Sequence, residues 1–168
     1  MFAPLTGAPG AQAAPGQARK IGLICAKGGL DEVYPSLILA SGARQAGIEA
    51  FIFFTFYGLD AITEDRIDHL HVNMAGNAAS PMPTMIAGLP GMNTLAATMM
   101  KRKMETLELP DVREMLTMLH DMGTKLYACE LAMKMFDRTE ADLIEQVESV
   151  ITVGDFYDMT AGAQLLFT

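Results

Sequence analysis

Two residues of this 168-residue chain carry nucleophilic sulfur, Cys25 and Cys129, and they sit in different surroundings. Cys129 lies in residues 123–135, which read Gly-Thr-Lys-Leu-Tyr-Ala-Cys-Glu-Leu-Ala-Met-Lys-Met. Residues 125–128 read as a short buried β-strand and residues 130–136 as the helix that follows it. Cys129 therefore falls where strand hands over to helix, beside the free backbone N–H groups of the helix start. That setting favours the thiolate, which can attack an electrophile or hold a transferable group. The plainer reading is a small buried hydrophobe, a common fate of free cysteine. Cys25 ends an apolar strand and reads first as packing, with a possible second thiol near Cys129 as the alternative. A two-cysteine redox pair requires their Cα atoms to come within about 7 Å.

Other polar groups gather near the same sheet edge. Lys27, Gly28 and Gly29 follow the first strand, where the lysine could steer an anion and the glycines could present N–H groups to it, although the plainer reading is that the glycines only make the turn and Lys27 is a surface residue. The pattern lacks both GxGxxG and the Walker lysine-serine pair, so a nucleotide site is not expected. Tyr57 leaves the second strand, and Glu130 follows Cys129. His69 and His71 project to one side of an extended segment near Asp65 and Asp68, but no third well-spaced ligand appears, so no metal site is assigned. No Ser-His-Asp arrangement or specific carboxylate pair can be argued, and no cofactor is expected.

Composition narrows the classes. A formal charge of −8 and a pI near 4.7 argue against a nucleic-acid partner, which needs an excess of Lys and Arg. The one basic run, Lys101-Arg102-Lys103, reads as the solvated side of a helix. Apolar residues make up 51% of the chain and charged ones 19%, which implies sizeable apolar surface and a homo-oligomer. Two cysteines suit a reducing cytoplasm rather than a disulfide framework. Residues 1–18, rich in Ala, Pro and Gly, have no signal-peptide features and read as a disordered tail. The most apolar run, residues 50–57, is far short of the roughly 20 residues that cross a bilayer. A soluble cytoplasmic protein is expected.

The elements that must position these groups follow from periodicity. Strands are expected at residues 20–25 and 48–55, both continuous apolar runs suited to a parallel sheet, with a helix over 30–45 between them. Leu30, Val33, Leu37, Ala40 and Ser41 form that helix's inner stripe, and Pro35 is taken as tolerable near its start. Strand, helix, strand in this span is a βαβ unit. The pattern then breaks at about residues 61–122 into a Met-rich insertion of loop and helix. In it, Pro81 and Pro83 mark irregular chain, and a helix over 92–105 carries Met92, Leu95, Ala96, Met99 and Met100 on one face. A second helix, over 111–122, turns Val112, Met115, Leu116 and Leu119 inward. The methionines suit plain core, a flexible cover or a subunit contact. Thr139 to Asp142 reads as a capping box, residues 147–153 as a fourth strand, 155–163 as a short helix and 164–167 as a fifth strand. The sum is one α/β domain over residues 19–168: three layers, α/β/α, with a mainly parallel five-stranded sheet. Open sheets of this kind bind ligands beyond the carboxyl ends of their strands.

On these segments the chain resembles the DsrE/DsrF-like family, in particular its sulfurtransferase branch. The resemblance covers about residues 20–168 and rests on KIGLICAKGGLDEVYPSLILA, FIFFTFYGLD, the Pro81-Met-Pro83 stretch with LPGMNTLAATMMKRK, and KLYACELAMKMF. The last is the most specific, because the family's sulfur-carrying cysteine falls at this junction and matches Cys129. The resemblance implies a flavodoxin-like topology and a sulfane-sulfur carrier that holds a persulfide on Cys129. It also implies oligomers and a partner thiol, often on a small TusA-like protein. Cys25 matches no required family position. The alternative is a non-catalytic binding or scaffold protein of sulfur metabolism that uses a Met-rich pocket or interface.

Overall fold

A computed structural model describes residues 19–72 and 91–168. The expected tail and the Pro81-Met82-Pro83 stretch lie outside the described residues. Five strands make one sheet: β1 (Lys20–Cys25), β2 (Glu49–Phe54), β3 (Lys125–Cys129), β4 (Ser149–Ile151) and β5 (Gln164–Phe167). Every neighbouring pair is parallel, in the order β4-β3-β2-β1-β5. The three-layer α/β class is as the sequence indicates. The strand order differs in detail from the flavodoxin order 2-1-3-4-5, since here β2 stands between β1 and β3.

That order decides the layers. Strands β1 to β4 step in one direction, and right-handed crossovers keep the helices that join β1, β2 and β3 on one face. Helix α1 (Leu30–Gln45) packs there on β1 and β2 and against α3 (Val112–Asp121). The chain then returns to the far side of β1 through α5 (Val153–Met159), which covers the opposite face. Phe156 of α5 stacks on Phe53 with ring centroids 4.8 Å apart, and with Leu165 and Thr160 it fills the space that a side chain at Gly22 would need.

The two faces are not equally covered. Alternation along the strands sends Leu23, Cys25, Ile52, Phe54, Leu126 and Ala128 toward α1, where all six are fully buried. Phe51, Phe53, Tyr127 and Cys129 point to the other face and keep between 3% and 8% exposure.

Several boundaries move for local reasons. Pro35 lies in the second turn of α1, past the free N–H positions, and so forgoes the bond to the Asp31 carbonyl. Ala43 rather than Ser41 completes the buried stripe of α1. Helix α2 (Met92–Thr106) turns Ala97 inward, with Ala96, Met100 and Met104 packed against the core. Leu95 and Met99, expected inside, are more than half exposed. Strand β4 stops at Ile151 because Thr152 caps α5: its hydroxyl accepts from the Asp155 N–H and its own N–H donates to the Asp155 carboxylate. These bonds to Thr152 hold the Asp155 carboxyl below the usual carboxylate range.

Candidate functional site

The carboxyl edge of the sheet is built by two turns pressed backbone to backbone. After β1 the chain turns through Ala26 to Gly29, and after β2 it enters a 3-10 stretch, Phe56–Ile62. Hydrogen bonding continues from strand into turn, with Thr55 N–H donating to the Cys25 carbonyl at 3.0 Å. A Cβ on Gly58 would collide with the Cys25 carbonyl oxygen, and one on Gly28 with the Tyr57 carbonyl oxygen. The two glycines are reciprocal, each leaving room for the other turn's backbone. Phe56 takes the left-handed backbone conformation, φ 46°, at the point where β2 gives way to this stretch.

Cys129 is the last residue of β3 and the N-cap residue of α4 (Glu130–Met135). Its backbone is extended, and its side chain makes no capping hydrogen bond. The helix is only six residues long, one fewer than expected, so its dipole is small. Glu130 turns aside to pair with Lys134 one helical turn on, at 2.6 Å. The 3-10 stretch packs against both β3 and α4. Behind it Arg138 donates to Asp60 at 2.5 Å and to the Thr63 hydroxyl, and its guanidinium lies 6.0 Å from the Phe136 ring. Tyr57, largely exposed, rests its ring against the same Phe136 at 5.4 Å. The Arg138–Asp60 pair thus fastens the 3-10 stretch to the segment leaving α4.

This pair was not visible in the sequence, because its partners are far apart along the chain. Both side chains are largely buried, and removing one leaves the other charge unpaired. Arg138→Met is expected to destabilise the fold by about 2 kcal/mol, discounted for partial exposure. Urea denaturation would show this as a lower midpoint, and an unchanged midpoint would mean the pair is only incidental.

Cys25 is placed differently. It is level with Phe54 of β2, which is level with Ala128 of β3. The two cysteines are therefore separated by a whole strand, or roughly 10 Å from the strand spacing, and they face opposite sides of the sheet. A disulfide between them would require β2 to move aside. Burial pushes the Cys25 thiol up, against the smaller opposing effects of Ser36, the Lys27 carbonyl and Thr168. It should stay protonated at neutral pH. Iodoacetamide at pH 7.5 is accordingly expected to leave Cys25 unmodified in the native protein and to label it in denaturant, read by peptide mass mapping. Labelling of Cys25 at equal rates in both states would contradict the placement.

Lys27, Gly28, Gly29 and Tyr57 do converge, lining one cavity of about 320 Å³ beyond β1 and β2. The amide of Gly29 is not free there, since it donates to the Glu32 carboxylate at 3.3 Å. Lys27 pairs with the same carboxylate at 3.5 Å. Arg66, His69 and His71 line this cavity too, and sequence reasoning did not connect them with the glycine turn. The link is a backbone bond: Leu30 N–H, at the start of α1, donates to the His71 carbonyl at 3.0 Å. Cys129 and Glu130 are not among the lining residues. Among the described residues there is no group of three or more metal-ligating side chains, and no helix is long and apolar enough to cross a membrane.

Comparison with known proteins adds four findings. The model of the DsrE/DsrF/DrsH-like family matches residues 17–167. The chain is 35% identical over 138 residues to a protein of Allochromatium vinosum named sulfur carrier protein DsrE2, covering 77% of this chain and 86% of that one. It is 23% identical over 159 residues to the protein YrkE of Bacillus subtilis, covering 90% and 98%. A solved structure of a protein of unknown function from Methanobacterium thermoautotrophicum aligns at 14% identity with a TM-score of 0.49, covering 90% of this chain and all of that one.

Proposed function

Given that the chain belongs to the DsrE/DsrF/DrsH-like family, we propose that it is a cytoplasmic sulfur carrier that holds sulfane sulfur on Cys129. The observation that carries this reading is the position of Cys129: at the carboxyl end of a parallel strand, heading a helix, on the sheet face away from α1 and with 3% of its surface exposed. The 35%-identical relative bears the name of a sulfur carrier protein, which supports the same class of activity.

Loading is a thiolate displacement. The Cys129 thiolate attacks the outer sulfur of a donor persulfide, R–S–SH. A new S–S bond forms, the donor's S–S bond breaks, and the donor thiolate leaves with the electron pair. Delivery is the same step in reverse sense: a partner thiolate attacks the terminal sulfur and Cys129 leaves as thiolate. No net oxidant is needed. Exposed Tyr57, Leu131 and Met135 offer apolar surface near the site against which a thiol protein of TusA-like type can dock. The outward Leu95 and Met99 of α2 suit contact between copies of the chain.

Intact-mass measurement tests the reading. Incubation with a sulfane-sulfur donor should add sulfur, and a thiol partner should then remove it. If no donor adds sulfur to the wild-type chain, the reading fails.

A further inference from the structure

We infer that the cavity beyond β1 and β2 is a binding site for a small divalent sulfur oxoanion of the thiosulfate class, held by Arg66, His69 and His71. The inference starts from charge pairing. The chain carries a net −8, so a guanidinium left without a partner beside two imidazoles needs a reason. Two carboxylates line the cavity, and both are engaged. Glu32 bonds Lys27 and the Gly29 amide, and Asp60 bonds Arg138 at 2.5 Å. That leaves the Arg66 guanidinium with no hydrogen-bond or ion-pair partner among the described residues. The His71 imidazole likewise has none, and His69 adds a third donor ring to the same lining. Imidazole donates at least one N–H in either protonation state, and a guanidinium offers a planar fork that matches an oxoanion edge.

Size and wall chemistry narrow the ligand. About 320 Å³, at the low end for small-molecule sites, has room for a compact anion together with water. Besides the cations, the wall includes Leu70, Val72 and Tyr57, so one side is apolar. A thiosulfate ion has a charged oxygen end for the cations and a soft, weakly hydrated sulfur for that side. The site is preformed, because the Gly28 and Gly58 contacts and the bond from Leu30 N–H to the His71 carbonyl fix the three segments that line it.

Anion binding here does not depend on Cys129, which does not line the cavity. Only the choice of a sulfur oxoanion over other oxoanions rests on the sulfur-carrier reading. The chain's three histidines allow a direct test, because His120 lies at the far end of α3 and serves as an internal control. Sodium thiosulfate is titrated into the full chain at low ionic strength while imidazole NMR resonances are followed. The His69 and His71 signals should shift saturably, His120 should not, and sodium sulfate should compete. Arg66→Gln should weaken binding about tenfold or more, the loss of one charge-assisted contact. Arg66 is exposed and has no side-chain partner among the described residues, so this variant should fold, and an unmoved His120 signal would verify it. His71→Gln provides a second, independent loss. No saturable shift, equal shifts at His120, or unchanged affinity in both variants would overturn the site. The two readings fail separately. Binding by Cys129→Ser equal to wild type supports the anion site whatever the thiol does, whereas sulfur loading without anion binding sinks the anion site alone.

Discussion

Cys129→Ser is expected to lose sulfur loading completely, while Cys25→Ser loads as the wild type does. A hydroxyl cannot hold a persulfide, so the chemical consequence is total rather than partial. The substitution is also mild for the fold. Position 129 is the N-cap of α4, where serine is among the preferred residues. Its neighbours in the sheet, Tyr127 and Ile151, keep their backbone pairing whatever the side chain at 129. Loss of loading in a folded Cys129→Ser chain can then be assigned to sulfur chemistry. Intact mass after donor treatment, with circular dichroism to verify folding, decides the matter. A Cys129→Ser chain that still gains one sulfur would move the carrier site to Cys25. That outcome would have to overcome the burial that keeps Cys25 protonated.

Gly58→Ala should be the most damaging single methyl addition at the site. The new Cβ would point straight at the Cys25 carbonyl, a backbone atom that already accepts from Thr55 N–H and cannot swing away. Overpacking of this kind costs about 3 kcal/mol, the upper part of its usual range. The reciprocal Gly28→Ala meets the Tyr57 carbonyl and should behave alike. Gly42→Ala is the control, because nothing lies within 4 Å of its added methyl. It should be neutral or slightly stabilising, as expected for glycine inside a helix. Denaturation midpoints for the three variants would show the contrast. A Gly58→Ala protein as stable as Gly42→Ala would mean the two turns separate easily.

Both expectations concern the same edge of the sheet, and only part of it was readable in advance. Strands β1, β2 and β3 were legible because strands buried on both faces become continuous apolar runs. Helix α1 was legible from Leu30 to Gln45, with acids in its first turn and Gly47 beyond its end. The start of α5 is set by Thr152 and Asp155 acting together as a capping box, which overrides the strand pattern expected through residue 153. The inward side of α2 was misjudged because apolar residues ring the helix, and only its neighbours decide which of them pack.

Local facts were legible from the chain alone: a thiol at a strand-to-helix junction, a glycine turn after β1, and parallel strands that carry them to one edge. Each follows from residues adjacent in the chain, whose conformations are set by sterics, propensity and hydrophobic pattern. Tertiary structure decided what those pieces meet. Strand order set Cys25 and Cys129 a strand apart on opposite faces. It brought Arg138 to Asp60 across 78 residues and joined Arg66, His69 and His71 to the turn at Lys27. Such contacts depend on which strand lies beside which and on which face each crossover helix covers, and no local pattern encodes that choice.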